Sequence, residues 1–369
     1  MSPDRGHGPS LARLRHAPEA GTSAPVDRKV KRNWWRRALP ACSAAALAAG
    51  STLAASAASA PKPERSGRFA DRAGGLVGLE RAAIDLNGGT LPHPGDGDLF
   101  ARFTAREFGV ARRNGLIKIT RPTRGIVVRD VVAEDGYRVL DVFTREAGLF
   151  DSTVERVRVT GAIRGFARIR ADSRNVTFRD IDVTFRSELA QPGELPVGIG
   201  LEDSAEDVLI ERTVVRGARM VRIPDKYTNG DGYSTERGNR RITFRQAEAY
   251  DASDGGFDLK STETRLEDTV AGGNGRNYRL WRTGAGTTVI SRDPTKAHIW
   301  LGKGAHWRIR RLVVRSRTRA PVIQVSPGAT LLIDSHDVQV PAGTRIVAGD
   351  GGGRVDWGPQ GPPRVQPIR

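Results

Sequence analysis

One repeated pattern constrains the fold of this chain more than any other feature. Four small or apolar residues recur with the spacing apolar-x-apolar-x-x-apolar-x-apolar in seven segments, which begin at Ile126, Ser152, Val176, Val208, Ile242, Thr264 and Trp307. The first six starts lie 26, 24, 32, 34 and 22 residues apart, and the final gap of 43 leaves room for one more repeat. Alternating apolar residues that return every twenty to thirty residues are typical of a parallel β-helix, in which each coil stacks on the one before.

We therefore predict an all-β protein, a single-stranded right-handed parallel β-helix, as a solenoid of about ten coils. Its inward residues should be the first, third, sixth and eighth of each template segment. A β-propeller would need four strands in each repeat, and a leucine-rich repeat would need a Leu/Asn consensus that is absent. Helical solenoids are disfavoured because Val, Ile and Thr dominate at a period of two.

The N-terminal region has the composition of an export signal. A basic run, 28–37, precedes the uncharged Ala- and Ser-rich segment 38–60, as in secretory signals. The pair Arg36-Arg37 makes the twin-arginine route an alternative to ordinary secretion. The predicted domains are a signal peptide at 1–57, a linker at 58–75, an N-terminal cap at 76–114, the parallel β-helix at 115–357 and a disordered tail at 358–369. The cap should contain an amphipathic helix carrying Leu99, Phe100, Phe103 and Phe108.

Charge and export together suggest the partner. The chain holds 59 Lys and Arg against 42 Asp and Glu, a formal net charge of +17. Basic surfaces bind nucleic acids or acidic polysaccharides, and an exported protein meets the polysaccharides. We expect an extracellular or periplasmic monomer that binds an acidic polysaccharide and no nucleic acid. The single cysteine, Cys42, lies in the leader, and no later apolar run is long enough to span a membrane.

Charged residues concentrate where three short segments align, at 232–236, 256–260 and 277–281. Alternation should turn one set inward, namely Tyr233, Thr235, Phe257, Leu259, Tyr278 and Leu280. It should leave two outward columns on neighbouring strands about 4.8 Å apart, formed by Ser234, Asp258 and Arg279 and by Glu236, Lys260 and Trp281. Two interpretations stay open: a ladder of structural salt bridges, or a site on which a ligand lies.

The glycines and the inserted loop favour a site. The pair Gly255-Gly256 exposes bare backbone that a ligand can approach closely. Further candidates are Tyr227 and Asp231 in or beside the inserted loop, Arg237, Trp281 as a platform for a sugar ring, and His298 as a reserve acid or base. We predict that His298 lies in the outward column of Gly256 and Asn277, and that Asn274 and Asn277 form a structural asparagine ladder.

The segment Asp254-Gly-Gly-Phe-Asp258, followed by Asn277-Tyr-Arg-Leu280, resembles the pectate lyases of the ninth polysaccharide lyase family. The resemblance covers about 50 residues, and the rest of the chain shares only the repeat architecture. It implies a right-handed β-helix and a calcium ion held by Asp254, Asp258 and the nearby Asp231. It places the catalytic base at Arg279, where the family has lysine. Gly255 departs from the family, because an aspartate stands there in those enzymes.

The leading hypothesis is a polysaccharide lyase that cleaves a uronic-acid polymer by β-elimination. That reaction needs a base and a cation to neutralise the uronate carboxylate. The residues offer Lys260 as the base, with Arg279 and Arg237 on the carboxylate, whereas the resemblance implies Arg279 as the base. No Asp-Asp dipeptide occurs, which argues against the paired carboxylates of β-helical polygalacturonases. The alternative is a non-catalytic glycan-binding or cell-surface protein.

Overall fold

The computed structural model describes residues 76–77, 83–86, 88–91, 93–110, 113–349 and 351–365. The predicted signal peptide at 1–57 and linker at 58–75 lie outside the described residues, as do positions 366–369 of the predicted tail. None of the helices in the described ranges is long and apolar enough to cross a membrane.

The described chain consists of 26 strands and one short 3-10 helix, Ser187–Leu189. The first thirteen strands are β1 (Leu76–Val77), β2 (Ala83–Asp85), β3 (Leu99–Arg106), β4 (Gly115–Ile119), β5 (Thr123–Arg124), β6 (Val127–Glu134), β7 (Arg138–Val142), β8 (Leu149–Ala162), β9 (Gly165–Ile169), β10 (Arg174–Phe185), β11 (Val197–Leu201), β12 (Glu206–Arg216) and β13 (Asp231–Thr235). The remaining strands are β14 (Arg240–Arg245), β15 (Glu248–Tyr250), β16 (Gly255–Leu259), β17 (Thr264–Glu267), β18 (Thr269–Gly272), β19 (Arg276–Leu280), β20 (Thr283–Arg292), β21 (Ala297–Leu301), β22 (His306–Arg315), β23 (Ile323–Val325), β24 (Thr330–Gln339), β25 (Val347–Gly349) and β26 (Arg354–Trp357).

These strands form two sheets that follow the chain from coil to coil. Sheet 1 has 16 strands and contains the long ones, with β3, β6, β8, β10 and β12 as successive neighbours. Sheet 2 has ten short strands in the order β4, β7, β9, β11, β13, β16, β19, β21, β23 and β25. Every strand pairing among the described residues is parallel. The protein is an all-β parallel solenoid of about eleven turns, and its right-handed sense stays a prediction.

The predicted inward residues form the core. In sheet 1 the register pairs Val176 with Val208, Phe178 with Ile210, and Val183 with Val215. All four template positions are buried in each of the seven segments. The shared register therefore stacks like positions of successive coils into columns, and these columns make one continuous hydrophobic core.

A backbone corner explains why the template has two outward residues at its centre. The second of them has a positive φ in six coils: Asp130 (54°), Arg156 (49°), Asp180 (54°), Arg212 (47°), Gln246 (50°) and Asp268 (54°). One residue in the left-handed region bends the strand and inverts the alternation. The next apolar residue consequently points inward again.

The gap between 264 and 307 does contain one more coil, and β20 is its strand in sheet 1. Its inward positions include Gly284 and Gly286, which pair with Trp307 and Ile309 of the next coil. A Cβ on Gly284 would lie 2.4 Å from the Trp307 ring. The large indole thus fills the space of the missing side chain, which is why this coil lacks an apolar signature.

The predicted helical cap is wrong where the structure describes it, because Leu99, Phe100 and Phe103 lie on strand β3. Phe100 and Phe103 pair with Val128 and Val131, the inward positions of the next coil. The three-residue spacing that suggested a helix is the corner of the same template, with Arg102 at a φ of 57°. Phe108 is buried just beyond the strand.

We expect the aromatic core to carry much of the stability. Replacing the fully buried Phe257 by alanine should lower the free energy of unfolding by about 3–5 kcal/mol. The matched control, Phe143→Ala, removes a ring that is 36% exposed and should cost a small fraction of that. Urea titrations measure both, and equal losses would contradict the assigned core.

Candidate functional site

The charged residues predicted to meet do so on the outer face of sheet 2. Asp258 of β16 pairs in register with Ser234 of β13 and with Arg279 of β19. Parallel strands in register place these side chains on adjacent rungs. We call Asp231, Asp254 and Asp258, together with Arg279 and Lys260, the charged cluster.

A stack of aromatic rings lies on the inner face directly beneath. Phe257 stacks on Tyr233 with centroids 4.8 Å apart and on Tyr278 at 5.0 Å. The Tyr233 hydroxyl donates to the Glu248 carbonyl oxygen, and the Tyr278 hydroxyl to that of Ile290, each at 3.0 Å. The inward placement of the rings is confirmed, and this rigid floor fixes the strands that carry the cluster.

Arg279 links two carboxylates of the cluster. Its Nη1 contacts Asp254 Oδ2 and lies 3.3 Å from Asp258 Oδ2. Arg276 adds a longer contact to Asp254, at 3.5 Å. Burial acts to lower the pKa of Arg279, but Asp258 and Asp254 outweigh it and raise the pKa above the usual value. Arg279 is therefore a fixed cation, not a proton acceptor.

Lys260 is also held as a cation. Its Nζ donates to Glu236 Oε1 at 2.8 Å and lies 3.3 Å from Asp258 Oδ2. Burial acts to lower the pKa of Lys260, yet the carboxylates of Asp258 and Glu236 prevail and raise it. A lysine held in this way is a poor match for the role of catalytic base that the sequence suggested for Lys260.

Asp231 behaves differently from the other carboxyl groups of the cluster. It is 2% exposed, and its Oδ1 accepts the Gly255 backbone N–H at 2.8 Å. Burial, reinforced by the negative charges of Asp258 and Asp254, raises the pKa of Asp231 well above its ordinary value. A carboxyl group with a raised pKa therefore lies beside carboxylates that are paired with cations, an arrangement that favours an acid role for Asp231.

Gly255 makes this proximity sterically feasible. A Cβ at this position would lie 2.7 Å from Asp231 Oδ1 and 3.4 Å from both Asp258 Cβ and Arg279 Cδ. Gly255 thus faces the cluster. Gly256 faces the other way, because a Cβ there would lie 2.6 Å from the interior amide of Asn274.

The two aromatic candidates border the cluster. Tyr227 is 60% exposed, and its hydroxyl donates to Asp254 Oδ2. Trp281 Nε1 donates to Asp258 Oδ1 at 2.6 Å, and its ring packs edge-on against Trp300 at 4.4 Å. Each presents a partly exposed ring on which a sugar could lie.

Two other candidates lie apart. Arg237 is exposed in the turn after β13. The outward orientation predicted for His298 is wrong: it is 0% exposed and inside the solenoid. The predicted polar ladder is confirmed and reaches it, running from Asn274 through Asn277 and Ser291 to His298 Nδ1 in hydrogen bonds of 2.9, 2.7 and 2.7 Å. Burial lowers the pKa of His298 to about 3, so the imidazole is neutral.

The residues proposed for calcium do not fit that ion. Within the described ranges, no group of three or more His, Cys, Asp or Glu side chains is arranged to hold a metal. The guanidinium of Arg279 already lies between Asp254 and Asp258, and Gly255 supplies no carboxylate. Calcium takes six or more oxygen ligands, and these residues do not supply them.

A cleft beside the cluster has two ends that differ in charge, one mainly acidic and one basic. One end contains Asp231, Glu236, Asp258 and Lys260. The other end is basic and is lined by Arg138, Arg164 and Arg168. Sequence reasoning missed these arginines, since they lie two or three strands from Asp231 along sheet 2. The sequence signal that points to them is that Arg138 and Arg168 each stand next to a buried apolar residue of their strand, Val139 of β7 and Ile169 of β9.

Sheet 1 shows what a purely structural charge ladder looks like in this chain. Its register pairs residues of alternating sign along one outward column, namely Arg129, Glu155, Arg179, Glu211, Arg245 and Glu267. Glu211 is held by Arg179 at 2.8 Å and by Arg245 at 3.2 Å. The sheet 2 cluster lacks this balance, because Asp231 has no cation within salt-bridge distance among the described residues.

No protein-family model matches the sequence, and the search of curated proteins returned no match. Among solved structures, the chain aligns with the Dettilon tailspike protein at 8% identity and a TM-score of 0.37. The alignment covers 75% of this chain and 61% of that protein, so the chain spans less than two thirds of the tailspike's length. An overlap at this level carries no functional argument.

The raised pKa of Asp231 predicts a pH-dependent stability. The unfolded pKa of aspartate is ~3.9, so between that value and the higher folded pKa the native state binds the extra proton. The stabilising contribution is complete below the unfolded pKa and is lost as the pH rises through the folded pKa. Asp231→Asn should therefore gain stability over the wild type with rising pH, by up to ~1.4 kcal/mol per pH unit. Denaturant titrations across pH measure this difference, and parallel curves for the variant and the wild type would contradict it.

The close approach at Gly255 gives a second test. Gly255→Ala should destabilise the protein by about 1–3 kcal/mol, since the methyl group collides with the Asp231 carboxyl. Gly200→Ala is the matched control on β11, where a Cβ makes only ordinary contacts at 3.4 Å and beyond. The control should be neutral or slightly stabilising. Equal effects of the two substitutions on thermal unfolding would show that no steric requirement exists at Gly255.

Proposed function

We propose that the protein is an exported, monomeric enzyme that binds an acidic polysaccharide along sheet 2 and cleaves its glycosidic bonds. The single observation that carries this proposal is Asp231, a buried carboxyl with a raised pKa that lines an open cleft. Perturbed titratable groups in clefts cluster at functional sites.

Asp231 is suited to donate a proton to the leaving glycosidic oxygen. A general acid must be protonated near the working pH and within reach of the substrate. Burial and the adjacent negative charges favour the first condition by raising the pKa of Asp231, and its position in the cleft supports the second. Tyr227 and Trp281 offer ring faces beside it, and sugar rings stack on such faces.

Hydrolysis fits the ionisation states of the cluster best. Glycosidases pair a protonated carboxylic acid with an ionised carboxylate on the other side of the scissile bond. Asp231 gives its proton to the leaving glycosidic oxygen as the bond from that oxygen to the anomeric carbon breaks. Asp258, which Arg279, Lys260 and Trp281 hold in place, takes a proton from the water whose oxygen bonds to the anomeric carbon. The two carboxyl groups come from different coils, so an adjacent Asp-Asp pair in the sequence is unnecessary.

β-Elimination is the second candidate, supported by the resemblance to pectate lyases and by the cations of the site. In that reaction Lys260 would take the proton next to the uronate carboxylate, with Arg279 as the neutralising group. The raised pKa of Lys260 means that this route needs alkaline conditions, above the usual ~10.4 of lysine. Failure to form product from any substrate would favour the non-catalytic glycan-binding alternative.

The two reactions differ in product and in pH dependence. On polygalacturonate, alginate and glycosaminoglycans, hydrolysis should release reducing ends without ultraviolet absorbance from an unsaturated uronate. The rate should fall as the pH rises through the pKa of Asp231. Asp231→Asn should lose about 10²–10⁴-fold in turnover, while Asp182→Asn, on sheet 1, should leave turnover unchanged. An unsaturated product formed fastest at alkaline pH and lost in Lys260→Ala would instead establish the lyase.

A further inference from the structure

The basic end of the cleft contains more positive charge than its neighbours neutralise. Arg168 Nε lies 2.7 Å from Asp141 Oδ1, and Arg138 Nη1 lies 3.3 Å from Asp141 Oδ2. One buried carboxylate thus faces two guanidinium groups. Arg164 adds a third, and its acidic neighbour Glu194 is already 3.6 Å from Arg113.

Two nitrogen atoms at this end lack partners. Within the described part of the chain, Arg138 Nε and Arg164 Nη1 are buried and have no hydrogen-bond acceptor. Arg138 as a whole is only 5% exposed. A buried donor without a partner is costly, and an arginine fork is shaped for two oxygens of one planar anion.

The ionisation of these arginines agrees with that geometry. Burial lowers the pKa of Arg138 to about 10; Asp141 opposes this fall, and Arg164 and Arg168 add to it. Burial also lowers the pKa of Arg164. An anion bound between them would relieve both effects.

We propose that Arg138, Arg164 and Arg168 form a subsite for the carboxylate of a uronic acid unit, separate from the charged cluster. From β9 to β13, the strand that begins with Asp231, is two strand spacings, or about 10 Å, along the solenoid axis. A glycan laid along that axis would place one sugar carboxylate on the arginines and a more distant glycosidic bond beside Asp231. The inference rests on the proposed glycan substrate but not on its cleavage.

The test is calorimetric binding of oligogalacturonates and of the same oligosaccharides with their carboxyl groups reduced to alcohols. Arg164→Gln should weaken binding of the acidic form at least tenfold and leave the reduced form unchanged. Arg164→Lys should restore only part of the affinity, since a point charge cannot replace a planar fork. The control Arg158→Gln removes an equal charge from the exposed surface of sheet 1 and should have a small effect that salt abolishes.

Arg138→Gln provides a second binding measurement. Because the Arg138 side chain is buried, circular dichroism should first show that this variant folds. If it fails to fold, Arg164→Gln decides. Wild-type affinity of Arg164→Gln for the acidic form, equal losses for acidic and reduced forms, or no binding of acidic oligosaccharides at all would overturn the subsite. Cleavage that depends on Asp231 would survive the first two of those results, whereas the third would count against the proposed glycan substrate as well. Arginine-dependent binding without cleavage would leave the subsite standing and remove the proposed enzyme activity.

Discussion

Parallel pairing between successive coils is the constraint on which the rest of this structure depends. Pairing in a fixed register turns residues twenty to thirty positions apart into columns with one strand spacing between neighbours. Inside, the columns bring apolar side chains together into one core. Outside, the same columns bring charged side chains into contact whatever their sign. Each outward charge must therefore be paired with an opposite charge of the protein or be available to a ligand.

The two sheets answer that requirement differently. Sheet 1 alternates Arg and Glu from coil to coil, and its exposed ion pairs add little stability but favour the correct register. Sheet 2 concentrates carboxyl groups at one place and guanidinium groups at another. Burial, together with the negative charges of Asp258 and Asp254, raises the pKa of Asp231, and Arg138 is left with an unpartnered nitrogen. Both are arrangements that a polar ligand would stabilise.

The inward residues were predicted well from the sequence. Every second residue of a strand is buried, with one interruption at the backbone corner, and this pattern is easily recognised in the positions of Val, Ile and Phe. The prediction failed where the strand pattern resembles the pattern of an amphipathic helix. Phe100 and Phe103 are three residues apart because of the backbone corner between them, not because they lie on one face of a helix. It also misplaced His298, since the consecutive residues Asn277 and Tyr278 are both buried, so strict alternation fails at this position of the coil. The ionisation of Asp231 and Lys260 could not be predicted, because it depends on which charges from other coils lie nearest.

The central claim is that Asp231 keeps its proton in the folded protein. Carbon-13 NMR of aspartate carboxyl groups, compared between the wild type and Asp231→Asn, measures this directly. The account predicts one carboxyl resonance, missing in the variant, that titrates well above the ~3.9 of an ordinary aspartate. If the resonance missing in Asp231→Asn titrates at or below that value, Asp231 is an ordinary ionised carboxylate and the proposed acid role is wrong.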